Sequence, residues 1–344
     1  MEKKRILWVD ALNVIACAGV LLLHCTNAEV HNFKGTVSFN WCLGLLTHSF
    51  FIWPVNVFFM LSGFTLMRNS LIATGGKEFY KRRLHRLLVP VLGWNLFYTL
   101  LALALQFRHG SVDIPLVIIE NFLSFKYNGF MWFFVPLICI YLSMPFLAVF
   151  VLNARRETLR LFLIISLVLG CLAPINPNYS VTSSIMDIYI FGTRFIPFTV
   201  AGYYFGNFDI SRETRRKLYA AAWVCALVMI VGTAYLQFFC PEHYKYFMTY
   251  TNIPCTIVSF AVFVLFRYTD WEQLLTKIKI TPARLASMSS LSLGIYLVQH
   301  LGFIAVGHIL PKLHNMIITF VVMYIGCTLT VWLMKKIPVI KKLT

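Results

Sequence analysis

At 344 residues the chain could hold two soluble domains, but 59% of it is hydrophobic, only 12% is charged and its mean hydropathy is +0.74. A soluble domain carries about twice that charge, because polar side chains must cover its surface, whereas lipid covers an apolar one. The formal net charge of +17 invites nucleic acid, but the basic residues form short clusters between apolar runs rather than one face, so the expected partner is the lipid bilayer and not nucleic acid.

A helix crossing the hydrocarbon core needs about 20 largely apolar residues. The predicted spans are 6–26, 43–67, 87–107, 131–152, 159–175, 187–206, 218–239, 251–267, 286–309 and 313–334. They describe an all-α, polytopic integral membrane bundle of about ten transmembrane helices. No hydrophilic stretch is long enough to fold alone, so residues 1–344 read as one membrane-embedded domain. The first run resembles a signal peptide but lacks a small-residue cleavage site, and it is expected to be a retained helix. The segment Ile114–Phe125 is too short and too amphipathic to span, and is expected to lie at the outer interface or re-enter from it. With the amino terminus inside, 24 of the 30 Lys and Arg residues fall in inner loops; the others are Lys34, Arg108, Lys126, Arg194, Lys245 and Lys312. That asymmetry follows the positive-inside rule and places both termini in the cytoplasm.

The nine cysteines show no metal-ligand spacing, so no metal is expected, and most lie in apolar runs as small hydrophobes. Cys42 and Cys240 fall near predicted outer ends, a weak case for pairing.

Polar residues inside spans are the candidate functional groups, because lipid makes each one costly unless it faces protein or water. Asp10, Asn13 and His24 lie in the first span. The intervals of fourteen residues from Asp10 to His24 and eleven from Asn13 to His24 are near whole numbers of helical turns, so the three share a face. Asp10 can equally pair with Arg5 at the inner interface, and His24 can be an interfacial residue bonded to a carbonyl. A neutral imidazole can also take a proton from a hydroxyl. The second span carries Pro54, which is expected to kink it, and Ser62–Gly63, which suit close helix packing. The following inner loop ends in YKRRLHRLLVP, where Arg83 and Arg86 share a helical face and, with Arg82 beside them, can grip phosphate or simply anchor the loop. Arg194 falls inside the sixth span. MWFFVPLICIYLSMP opens the fourth span and contributes Trp132 and Tyr141, while SSLSLGIYLVQH places Ser292, Tyr296, Gln299 and His300 at helical spacing on the ninth.

Taken together, WVDALNVIACAGVLLLH, VFFMLSGF, KRRLHRLLVP, MWFFVPLICIYLSMP, AGYYFG and SSLSLGIYLVQH, in that order, resemble the membrane acyltransferase-3 family of bacterial surface-polysaccharide O-acyltransferases. Within it the chain looks most like the short branch that includes the enterobacterial common antigen O-acetyltransferase. The resemblance implies a multi-pass protein of the bacterial inner membrane. It would move an acyl group, usually acetyl, from acetyl-CoA or another acyl-CoA to a hydroxyl of a glycan or its lipid-linked precursor. No permanently bound cofactor is implied. His24 then matches the family's first-span histidine, with Asp10 and Asn13 on its stripe, and Arg83 and Arg86 match the basic pair that suits CoA phosphates. Ser62, Trp132, Tyr141, Arg194, Tyr296, Gln299 and His300 are candidates for the acceptor site or pocket. Two positions depart from the pattern. Asn13 stands where many members have arginine, a charge Arg194 is a candidate to replace. Gln299 stands where many have histidine, with His300 following. The rival reading is a secondary transporter or glycan flippase, although no internal repeat of the kind such proteins show is visible.

Overall fold

A computed structural model describes residues 5–67, 76–107, 113–124, 128–172, 194–309, 315–338 and 340–344. All regular elements among them are helical. The chain opens with α1 (Leu7–His31), followed by α2 (Phe39–Phe51) and α3 (Pro54–Leu66). A turn at Lys77–Phe79 and a widened π-helical turn at Tyr80–Leu84 lead into α4 (His85–Phe107). Then come α5 (Ile114–Ser124), a 3-10 turn at Gly129–Phe133, α6 (Phe134–Asn153) and α7 (Arg156–Leu172). The second half holds α8 (Ile196–Asn207), α9 (Arg212–Phe239), α10 (Ile253–Tyr268), α11 (Trp271–Lys277), α12 (Pro282–Ser289), α13 (Ser292–Ile309) and α14 (Met316–Met334).

Eight of the described helical segments are long and apolar enough to cross a membrane, so the protein is an all-α polytopic membrane protein. α7 and α8 are shorter, and the first part of the predicted sixth span, 187–193, lies outside the described residues. The eleven-residue α5 is too short to span, as expected. Large apolar side chains point outward along the lipid-facing helices, including Trp223, Leu227 and Val231 on α9 and Ile325 and Leu329 on α14. Cys42 and Cys240 are both free thiols.

Contacts between helix ends sort the bundle into two ends. Asn13 meets Ser289, Lys335 meets Ser290, Trp94 meets the Leu343 carbonyl, and Arg156 and Arg267 bond the carbonyls of 205–209. These all lie toward the end of the bundle that carries the basic loops. At the opposite end His31 meets Tyr244 and Trp41 meets Gln237. Among the described residues these contacts group residues near the basic loops at one end and residues near the other loops at the opposite end.

Two predicted spans are broken where polar backbone groups must be satisfied inside lipid. The second stops at Phe51 and restarts with Pro54 in the first turn of α3, a position where its missing N–H costs nothing. The break is complete where a kink was expected. The ninth is divided between α12 and α13 at Ser290–Leu291 rather than continuous from 286. Serine side chains compete for backbone groups and favour such interruptions. Here Asn13 Nδ2 donates to the Ser289 carbonyl at 2.9 Å and Lys335 Nζ to the Ser290 carbonyl at 2.5 Å, so the carbonyls freed by the break are filled.

The tightest helix contact is between α3 and α8. A Cβ at Gly63 would overlap the Thr199 carbonyl oxygen, one at Gly202 would overlap the Met60 carbonyl oxygen, and one at Gly206 would strike the Phe64 ring. The two backbones touch because each supplies a glycine. Lipid tails are as apolar as leucine, so such packing supplies much of the association energy. Gly202→Ala must push α3 and α8 apart against backbone, not against a flexible side chain. The expected result is a protein that inserts but loses at least about 1–3 kcal/mol of stability. A lowered detergent-solubilised melting temperature should show it, and an unchanged melting temperature would contradict the contact.

Candidate functional site

A cavity of about 330 Å³ opens from the basic end between α1, α3, α6 and the α12–α13 break. Its polar lining comes from Asn13, Ser62, Thr65, Tyr141, Ser289, Ser290, Ser292 and Tyr296. Asn13 Nδ2 also reaches the Ser289 and Ser292 hydroxyls at 3.0 and 3.2 Å, so the asparagine ties α1 to both sides of the break. Ser62 bonds back to the Phe58 carbonyl at 3.0 Å and lies beside the Tyr141 phenol, which also feels the charge of Arg83. Arg83 itself is exposed on the π-helical turn. Lys335, just beyond α14, has its ammonium pKa lowered by burial and then by Lys341. Its ammonium bonds Ser290, a lining residue, so one cation flanks the cavity.

Rings close the cavity at its far end. The Tyr296 hydroxyl donates to the Phe130 carbonyl at 2.5 Å, and its ring packs on Phe133 and Phe134 at 5.6 and 5.3 Å. On the other side of this layer a pocket of about 230 Å³ is lined by Trp132, Arg194, Phe195, Met248, Thr249, Tyr250 and Thr251. Trp132 and Tyr250 stack at 5.1 Å and 30°. Asn56, fully buried on α3, donates to the Tyr250 carbonyl at 2.8 Å and to Ser259 Oγ at 3.0 Å, which fixes that wall.

His24 is half-buried on the outer half of α1, and its ring lies 4.4 Å from that of Phe130. Among the described residues it makes no hydrogen bond. His300 meets the same Phe130 ring at 5.7 Å and Tyr98 at 5.2 Å. One phenyl ring therefore separates two imidazoles, and its own carbonyl holds the tyrosine that closes the basic-end cavity.

The structure brings Asn13, Ser62, Tyr141 and Tyr296 to one cavity and Trp132 with Arg194 to the other. It does not bring Asp10 and Asn13 to His24. The shared stripe is real, but Asn13 and His24 are roughly 16 Å apart along the helix axis. Asp10 is 9% exposed and faces Arg5 at 4.0 Å, the plainer of its two readings. Arg194 does not replace the charge absent at Asn13. It is exposed in the turn before α8, at the other end of the bundle, rather than within a helix. Arg82 pairs with Glu78 at 2.8 Å, while Arg83 and Arg86 stay exposed. Gln299 is 1% exposed and lines neither cavity, whereas His300 reaches Phe130. Sequence reasoning missed Phe130, Tyr250, Asn56 and Lys335. Phe130 directly precedes the quoted aromatic motif, which was the available signal; Asn56 lies in the run before the SGF motif and was not read as polar.

The family model of the acyltransferase domain for membrane acyltransferase-3 proteins matches residues 6–336. The chain belongs to that family. It is a multi-pass membrane acyltransferase. No curated protein and no solved structure matches it.

In this acyltransferase the bond from Tyr296 to Phe130 joins the two cavities' shared wall. Tyr296→Phe leaves a part-buried carbonyl short of a donor, a loss of about 1 kcal/mol. If the bond also sets the position of the ring beside His24, acyl transfer should fall by more than the folded fraction does. Parallel measurement of turnover and melting temperature separates the two. Equal losses in both would reduce Tyr296 to a packing residue.

Proposed function

We propose that this acyltransferase moves an acyl group, acetyl in the simplest case, from cytosolic acyl-CoA to a hydroxyl of a cell-surface glycan or its lipid-linked precursor. The observation that carries this reading is the pair of cavities approaching from opposite ends of the bundle, with only the aromatic layer around Phe130 and Tyr296 between them and His24 at its outer side. A transferase whose donor and acceptor lie on opposite sides of a membrane needs such an arrangement.

The donor enters at the basic end, where Arg83, Arg86 and Lys335 suit the phosphates of CoA and the cavity suits its pantetheine arm. The acceptor lies against Trp132 and Tyr250, whose flat apolar faces and polar edges suit sugar rings, with the exposed Arg194 on the same pocket wall to bond hydroxyl or anionic groups. The Phe130 ring turns aside when both substrates are bound, bringing the thioester carbonyl to the acceptor hydroxyl. His24 takes the hydroxyl proton as oxygen attacks the carbonyl carbon. Collapse of the tetrahedral intermediate breaks the carbon–sulfur bond, and the CoA thiolate leaves and takes up a proton. An acetyl-histidine relay through His24 is the alternative order within the same chemistry.

His24→Ala should abolish acylation while the protein remains inserted and folded. Retained transfer would remove His24 from the mechanism. Arg83→Ala with Arg86→Ala should raise KM for acyl-CoA about tenfold or more, with a smaller change in kcat. Mass spectrometry of surface glycans from a deletion strain should show the loss of one acyl group. Solute movement driven by an ion gradient, with no CoA released when acceptor is added, would favour the transporter reading instead.

A further inference from the structure

A second polar cleft lies at the basic end, away from the acyl-transfer cavities. It has a volume of about 540 Å³ and is lined by α7, α8, α10 and the start of α9. Its upper rim carries Arg156, Arg160, Ser211 and Thr214, and its floor descends along Leu163, Ile164 and Leu167, opposite Phe205 and Phe260. Arg160, Ile164 and Leu167 follow one another at helical spacing, so a single stripe of α7 runs from charge to hydrocarbon. That stripe is continuous with the exposed lipid face of the helix, where Leu161, Ile165, Val168 and Leu169 are about half exposed or more.

The charges around the rim do not balance. Arg156 donates to the Asp209 carbonyl at 2.7 Å and lies over the Tyr204 and Phe208 rings. Arg267 bonds the Phe205 and Phe208 carbonyls at 2.5 and 2.6 Å, and Arg215 lies 3.9 Å from the Tyr268 ring centre. These arginines are held mainly by carbonyls and ring faces, and the acidic groups acting on Arg156, Arg215 and Arg267 are Asp209 and, for Arg156, its neighbour Glu157. The one acidic residue among the described lining groups is Asp209. Its carboxylate accepts from Tyr268 at 2.6 Å, which holds its pKa below the usual range, and it already faces Arg267 and Arg215. Arg160 is exposed and, among the described residues, has no bonded partner. The first turn of the long α9, capped by the Ser211 hydroxyl accepting from the Thr214 amide, adds a positive dipole end to the same rim, and its one acidic residue, Glu213, is paired with Lys217 at 2.7 Å.

We propose that this cleft is a binding site for an anionic phospholipid of the cytosolic leaflet, its phosphate held between Arg160 and the start of α9 and one acyl chain lying along Leu163, Ile164 and Leu167. Three features select a lipid over a soluble phosphate. The cleft opens sideways onto the bilayer, its lower half is apolar, and its cationic rim sits at headgroup depth. Basic pockets between helices on the cytosolic side take anionic headgroups for these reasons. The site is independent of the acyl-transfer reading, since none of its lining residues borders either substrate cavity.

The full-length protein in detergent, given equimolar phosphatidylglycerol and phosphatidylcholine of identical chains, tests the site by native mass spectrometry. Preferential retention of one phosphatidylglycerol is expected. Arg160→Glu should reduce that preference about fivefold or more, whereas Lys277→Glu, on another cytosolic turn, should leave it unchanged. Should Arg160→Glu fold poorly, Arg160→Gln reads the same loss. The proposal is overturned if the wild type shows no preference, or if the Arg160 variants keep it. It is also overturned if adenosine 3′,5′-bisphosphate displaces the lipid, because the cleft would then be a nucleotide-phosphate site.

Discussion

Close approach of α3 and α8 is the constraint on which the rest of the bundle depends. Within a bilayer no hydrophobic force drives one helix onto another, so contact must come from shape and from backbone proximity. Gly63 and Gly202 each admit the other helix's carbonyl into the space a side chain would fill. Their contact sets Phe59 against Phe195 at 4.4 Å, and Phe59 in turn packs on Phe133 at 5.0 Å. Phe133 belongs to the ring layer between the two cavities. The partition at the centre of the molecule is thus built outward from a pair of glycines.

Interruptions of helices supply the polar lining that intact helices could not. An unbroken α-helix satisfies its own backbone and offers lipid only side chains. At Ser289 and Ser290 the chain frees carbonyls in the membrane and recovers them with Asn13 and Lys335. The same groups then line or flank the basic-end cavity. The break between α2 and α3 serves packing instead, since it delivers the buried Asn56 to Tyr250. Cost and use coincide in both places, because a polar group that must be satisfied by a distant helix also fixes that helix.

Most of the fold is legible in the sequence because each span must be apolar over the same length, whatever it packs against. The end-to-end alternation is legible for a similar reason, since lysine and arginine mark one side of the membrane regardless of tertiary contacts. Depth is not legible in helical phase. Asp10, Asn13 and His24 share a face yet sit at three levels, so a common stripe did not mean a common site. The division at Ser290 was hidden because serine is only weakly polar on a hydropathy scale, and what stabilises the break is Asn13, far away in sequence. Phe130 had only its place beside the MWFFVP motif to mark it, a weak signal in a chain that is 16% aromatic. Gln299 and His300 differ by one residue of helical rotation, about 100°, and only the packed α13 shows that the first is buried while the second meets the Phe130 ring.

The two sides of the ring layer are held differently. Tyr250 is fixed through its own backbone by Asn56, on a helix locked to α8 by glycine contacts. Phe130 sits on a 3-10 turn that begins at Gly129, where an added Cβ would meet nothing within 4 Å. Hydrogen-bond geometry in such turns is poorer than in an α-helix, so they are the weaker link in a ladder. What holds Phe130 is the Asn128 side chain accepting from its amide at 3.2 Å, the Tyr296 hydroxyl on its carbonyl, and the rings of His24, His300 and Phe303 around its side chain. An aromatic partition with one wall anchored on packed helices and the other held on a short turn by the Asn128 cap and the Tyr296 hydroxyl can separate two compartments and still yield at one place, and that place is beside His24.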